Sequence, residues 1–126
     1  MKTTPLQFIS FEVIKMSFER KTFEKIYDLN IEIKNTLLFN ENEDDFFQVM
    51  FIINLKSNDE TKPFLSDIEA IGIFKLDKLN LNDSEIKSYH NSASVIVYPY
   101  IRAFLSNLSV ISGINPITLP TVNFIN

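Results

Sequence analysis

The sequence predicts an α+β domain: a four-stranded antiparallel meander sheet followed by one long helix. Three observations carry this. Four β-like segments fill residues 7–76, no crossover helix separates any two of them, and sustained helical spacing starts only after Ser92. At 126 residues the chain is read as one domain, 1–126, large enough to bury a core.

The second segment, Ile26 to Leu37, alternates: Tyr27, Leu29, Ile31, Ile33 and Leu37 share one face, and Asp28, Asn30, Glu32 and Lys34 the other. A period of two with one wet face is a strand on the surface of a sheet. In the third, Phe46 to Lys56, one face holds Phe47, Val49, Phe51, Ile53 and Leu55, while Phe46, Met50 and Ile52 make the other half apolar. That describes a central strand. In the first, Gln7 to Glu19, apolar parity switches near Val13–Ile14, which predicts a β-bulge or a strong bend. The fourth, Phe64 to Leu76, changes parity around Ala70–Gly72, which predicts a bend at the glycine. Polar turns, Asn40 to Asp45 and Ser57 to Pro63, join neighbours.

Residues 77–94 are polar, with room for one short helical turn capped by Asp83 or Ser84, and they place His90 in a loop. Beyond them Ile101, Phe104, Leu105, Leu108 and Ile111 recur at helical spacing, and Gly113 stands where a helix ends. Val95 to Tyr100 is apolar nearly all round, so one sheet face would not cover it and a second subunit is the natural cover. Pro99 must lie either at the start of this helix or at a bend. The segment after Gly113, with two prolines, reads as an extended strap.

Composition excludes several functions. There is no cysteine and a single histidine, so neither a disulfide framework nor a zinc site is expected, and no metal or cofactor. Two glycines leave no phosphate-cradling loop. His90 has no partnered nucleophile motif, and the acidic run Glu41 to Asp45 lacks the ligand spacing of a calcium loop. No enzyme is expected. A net charge of −4 argues against nucleic acid. With no signal peptide and no run of membrane-spanning character expected, the chain reads as cytoplasmic, without membrane insertion. Twelve phenylalanines with no tryptophan suggest a Phe-rich core, with some Phe left for an exposed groove or interface.

The stretch Val97 to Phe124 resembles the C-terminal signature of the SecB protein-export chaperone family. The matching residues are Tyr98, Pro99, Tyr100 and Arg102, then Gly113 and Pro116, then Leu119, Pro120, Val122, Asn123 and Phe124. The block from Phe46 to Leu76 is similar as well, through Phe64, Leu65 and Asp67 and through Gly72, Ile73 and Phe74, as is Met16 to Glu19. The resemblance implies an ATP-independent holdase that binds unfolded client polypeptides in apolar grooves, and a homotetramer built as a dimer of dimers. It places Pro99 in an early turn of the interface helix. It implies a client groove near Phe23, Tyr27, Phe64, Phe74, Tyr98 and Phe124, and an oligomer interface at Tyr100, Ile101, Phe104, Leu105 and Leu108. Contact with the SecA motor would use Glu19 and Asp67, although Lys15 falls where another acid is expected. The family's further helix and acidic tail would lie beyond Asn126, so the tail contact with SecA is not expected. The resemblance also extends to SecB-like chaperones dedicated to an antitoxin. A small-ligand-binding α+β domain is the reading outside this family.

Overall fold

The computed structural model describes residues 6–39, 46–76 and 81–122. Its elements are β1 (Leu6–Arg20), β2 (Leu29–Phe39), β3 (Phe46–Ser57), β4 (Phe64–Leu76) and α1 (Asp83–Ile111). The expected acidic turn at Asn40 to Asp45 lies outside the described residues.

All strand pairs are antiparallel, in the order β1-β4-β3-β2. The expected meander holds for β2, β3 and β4, but β1 joins the far side of β4, which gives a Greek-key order. The link 21–28 makes this possible. Three strand spacings are about 14 Å across, and eight extended residues reach about 26 Å.

The bulge expected in β1 is present. Its register against β4 shifts between Val13 and Lys15, leaving Ile14 as the extra residue, and a second shift between Phe8 and Ser10 leaves Ile9. No register break accompanies Gly72: β4 runs against β3 without a shift from Leu65 to Lys75. The apparent parity change arises because Ile71 and Ile73 make the outer face of β4 apolar too, Ile71 being buried. Gly72 serves another purpose. A Cβ built on it would collide with Val97 Cγ2 of α1 and lie 3.1 Å from the Phe74 ring. The missing Cβ leaves room for the Val97 side chain to pack directly on the β4 backbone.

The core lies between sheet and helix. Phe47, Val49, Phe51, Ile53 and Leu55 of β3 and Phe64, Ile68, Ala70, Phe74 and Leu76 of β4 face Ala93, Val97, Tyr98, Ile101 and Leu105 of α1. Burying a side chain such as Phe51 or Ile53 contributes about 1.5–3 kcal/mol. One aromatic row crosses all four strands. Phe8 pairs with Phe74, Phe74 with Phe47 and Phe47 with Phe39, at ring separations of 5.4, 5.4 and 6.0 Å. Pairs at these distances add about 0.5–1.5 kcal/mol each beyond burial.

The helix starts a full three turns earlier than its apolar run suggests. Asn82 caps it, accepting from Glu85 N at 2.8 Å, while Glu85 Oε1 accepts from Asn82 N at 3.5 Å. This capping box satisfies two otherwise orphaned N–H groups. Pro99 therefore lies in the middle of α1 and not in an early turn. Its ring and Val95, whose carbonyl receives no N–H from the proline, are both exposed on the side away from the sheet. Gly113 does end the helix, with φ 81°, and Ser112 N donates to Leu108 O.

His90 lies within α1, not in a loop. Its Nε2 is 3.1 Å from Asn35 Oδ1, Asn35 Nδ2 donates to Ser94 Oγ at 2.8 Å, and Ser94 Oγ donates to His90 O at 2.8 Å. Because Asn35 uses its N–H₂ on Ser94, its oxygen requires the Nε2–H of the histidine. This small network ties edge strand β2 to the helix where Asn35 interrupts an otherwise apolar face.

By length and hydropathy α1 could cross a membrane, its best 18-residue window having a mean hydropathy of 1.3. The core helix of a soluble protein passes the same test, and α1 packs one side on the sheet.

Two predictions test these contacts. Gly72→Ala lowers stability by about 1–3 kcal/mol in urea unfolding, and by clearly less in a Val97→Ala background. Equal costs in both backgrounds would refute the proposed collision. Burial holds the His90 pKa below its ordinary 6.5. The folded state therefore binds fewer protons than the unfolded state as the pH drops past that value. Stability present above pH 6.5 should be lost as pH falls toward the lowered pKa, and His90→Gln, which keeps an N–H for Asn35, should flatten that slope. Thermal unfolding from pH 7.5 to 5 measures both.

Candidate functional site

Two segments without regular structure meet at one end of the sheet and shape its surface. The first is the link 21–28. Tyr27 Oη donates to Thr22 O at 2.7 Å and lies 3.2 Å from Thr22 Oγ1, and Glu24 N approaches it at 3.4 Å. The Tyr27 ring packs on Phe64 at 5.0 Å. One phenol thus closes the link on itself and seats it on the core. Arg20 adds a second brace: Nη1 donates to Glu24 O at 3.3 Å, and the guanidinium sits 5.6 Å from the Phe23 ring. The result is an aromatic held outward. Phe23 is 91% exposed and Ile26 72%.

The second segment follows Gly113. The chain reverses there, with Ile114 N donating to Ser109 O at 3.1 Å, and runs back along α1. Ile114 and Leu119 are buried, Ile117 N donates to Ser109 Oγ at 3.1 Å, and Tyr98 Oη donates to Pro120 O. Burial pushes the Tyr98 phenol pKa up, with Arg102 opposing it. A clasp joins the two segments: Asn115 N donates to Lys25 O at 2.9 Å, and Lys25 Nζ donates to Gly113 O at 3.1 Å.

Between them lies a groove of about 430 Å³. Lys25, Ile26, Tyr27, Leu29 and Ile31 form one wall and residues 114–118 the other. It borders β2, an edge strand whose outer N–H and C=O groups have no partner strand among the described residues. A second cleft of about 380 Å³ lies at the end of β1 and β4 and includes Glu19, Arg20, Lys56 and Leu65. A third, about 320 Å³, separates the strap from α1 at Pro99, Arg102 and Ala103.

Only part of the expected groove is at this surface. Phe23 is fully presented and Tyr27 half-buried, but Phe64, Phe74 and Tyr98 are buried in the chain's own core. Phe124 lies outside the described residues. Ile26, Leu29, Ile31 and the strap residues Ile114, Pro116 and Ile117 line the groove and were not anticipated as a set. Leu29 and Ile31 did stand in the alternating pattern beside Tyr27. The strap wall had no periodic signal.

The expected interface residues divide similarly. Ile101 and Leu105 are buried against the sheet of their own chain, Phe104 and Leu108 are half-buried, and Tyr100 is 47% exposed, stacked on Phe11 at 5.5 Å. The bare side of the helix is instead Val95, Ile96, Pro99, Ala103 and Val110. Glu19 and Asp67 both lie on the sheet face away from α1. Glu19 is exposed, and Asp67 accepts from Asn54 Nδ2 at 2.6 Å. No group of three or more metal-ligating side chains occurs among the described residues.

The domain has two layers, one helix on an antiparallel sheet, with apolar side chains held out on a braced link and open clefts beside them. The chain belongs to the SecB family: the model for "Preprotein translocase subunit SecB" matches residues 3–126. It is 26% identical over 100 residues to the protein-export protein SecB of Saccharophagus degradans, covering 77% of this chain and 55% of that protein. It is also 26% identical over 97 residues to an uncharacterised protein of Methanocaldococcus jannaschii, covering 75% and 62%. The chain thus spans little more than half the length of the curated relatives it matches. Among solved structures it is similar to a SecB-like chaperone of Mycobacterium tuberculosis in complex with a ChAD peptide from an antitoxin. The TM-score is 0.75 at 16% identity, over 94% of this chain and 88% of that one. A protein of unknown function from Streptococcus agalactiae matches with TM-score 0.52 at 9% identity, over 95% and 100%. These two likenesses show the fold.

The contrast between exposed and buried aromatics is measurable. Phe23→Ala should shift stability by no more than about 0.5 kcal/mol, while Phe74→Ala should cost about 3–5 kcal/mol. Chemical denaturation of the two variants checks the assignment, and comparable losses would overturn it.

Proposed function

We propose that the chain is an ATP-independent holdase, binding unfolded client polypeptides along the groove between the link and the strap and the neighbouring edge of β2. One observation carries this reading: Phe23 and Ile26 are held out to solvent on a braced link beside an apolar groove. An exposed aromatic that is already ordered gives contact area at little further entropic cost. Open strand edges accept extended segments through their backbone groups. An unfolded chain offers both. The clefts lie between surface segments, which favours a polypeptide over an enclosed small ligand.

Family membership supports a role in protein export in the cytoplasm, with Glu19 and Asp67 on the outer sheet face available to the SecA motor. A dedicated client is the second reading. It is favoured by the antitoxin peptide held by the mycobacterial chaperone of the same fold. We further propose a dimer of dimers assembled through the bare side of α1, which leaves Ile101 and Leu105 to the core.

Light scattering on a size-exclusion column, with and without a permanently unfolded polypeptide, tests the holdase. A stable complex with the unfolded chain and none with its folded form is expected; capture of neither would overturn the proposal. In the same experiment Ile96→Asp and Val110→Asp should each lower the assembly's mass while circular dichroism stays unchanged, because each buries a carboxylate in the interface. Retention of the wild-type mass by both would place the interface elsewhere.

A further inference from the structure

Arg20 stands where three segments meet. Its backbone is the last rung of β1 against β4, opposite Phe64, so the side chain starts from a fixed base. The half-buried guanidinium then meets each neighbour with a different part. Nη1 donates to Glu24 O on the link at 3.3 Å, and Cζ stands over the Phe23 ring, 5.6 Å from its centroid. Nη2 lies 3.4 Å from the place a Cβ on Gly113 would take, beside the turn that starts the strap. That turn is itself held, its carbonyl accepting from Lys25 Nζ. Arg20 is not among the residues that line the groove; it lines the cleft at the end of β1 and β4.

We propose that Arg20 is a positioning residue for client capture: without meeting the client, it fixes the direction of the Phe23 ring relative to the helix-end turn. This deepens the holdase reading and rests on it. The two braces of the link divide the work. Tyr27 holds the backbone on either side of Phe23, through Thr22 O and Glu24 N, and leaves the ring to Arg20. A phenylalanine that is 91% exposed would otherwise move among rotamers, and a client would have to freeze it on binding. A planar cation over one face restrains the ring and leaves the opposite face open to a client side chain.

A reporter at the ring itself tests this. The chain has no tryptophan, so Phe23→Trp supplies a single indole whose time-resolved anisotropy reads its nanosecond motion. Adding Arg20→Met, which keeps the apolar stem and removes the fork, should enlarge that motion and leave the unfolding midpoint nearly unchanged. Unchanged indole motion would overturn the positioning while leaving the holdase standing. In the chain that keeps Phe23, Arg20→Met should weaken binding of a permanently unfolded polypeptide about threefold to tenfold. Arg20→Lys, a cation without the planar fork, should recover only part of that loss. In a Phe23→Ala background, Arg20→Met should cost nothing further. A loss that persists in full there would make Arg20 a contact in its own right and overturn the proposal. So would a loss that about 0.5 M salt erases, since that marks long-range attraction and not a held ring. Absence of any capture by the wild type would instead overturn the holdase reading, and the part of Arg20 in capture with it.

Discussion

The close approach of Val97 to Gly72 sets the geometry of the whole domain. Any side chain on Gly72 would collide with Val97 and press α1 away from the sheet there. Ala70 and Ala93, both buried, keep the same neighbourhood thin. With the helix held down there, Ile101 and Leu105 reach the sheet further along and Tyr98 turns toward the strap. A 29-residue helix is about 43 Å long at 1.5 Å per residue. Fixing its height at one point decides which residues along that length are core and which are left outside.

The phenylalanine surplus has two uses. The row Phe8, Phe74, Phe47 and Phe39 stitches all four strands together on the helix side, and Phe18 and Tyr27 meet Phe64 at the other end. Of these rings, Phe74 packs fully in the core and Phe64 leaves only its edge on the cleft at the end of β1 and β4. Phe23 is different because its neighbours are backbone-braced residues of a link, with no second layer above them. A ring on the sheet face is covered by α1; among the described residues, the Phe23 ring on the link meets the Arg20 guanidinium and is otherwise left open.

Alternation along β2 and β3 was legible because a half-buried strand must repeat every two residues. The bulge at Ile14 was legible because the repeat slips there. Strand order was not, since a period of two says which face is apolar and nothing about the neighbour across the ladder. The first three turns of α1 were hidden by Lys87, Ser88 and Ser92, which face water and mask Tyr89 and Ala93 on the packed side. The cap is Asn82, not the Asp83 or Ser84 expected, because its side chain and that of Glu85 close a capping box. In the site, Tyr27, Leu29 and Ile31 stood in the alternating pattern, whereas Ile114, Pro116 and Ile117 come from an extended strap whose position depends on where Gly113 turns the chain. The aromatic residues that carry the family signature, Tyr98 above all, anchor that strap and do not line the groove.

A two-layer domain of this size covers one face of its sheet and one face of its helix, and this sequence is apolar on more surfaces than that. Val95, Ile96, Val110 and Ile111 remain bare on α1, as do Phe23 and Ile26 on the link. Exposed apolar surface of this kind favours association. Pro99 belongs to the same logic. In the sheet-facing half of the helix it would place a lost hydrogen bond in the core; on the bare side, its ring adds apolar surface and the freed Val95 carbonyl stays open to water or a partner. The clasp between Lys25 and the Gly113 turn then fixes how far apart the link and the strap stand. Helix height is set by a glycine toward the Leu76 end of β4, and groove width by two hydrogen bonds between segments far apart in the chain, at the Phe64 end of the sheet where the exposed aromatic stands.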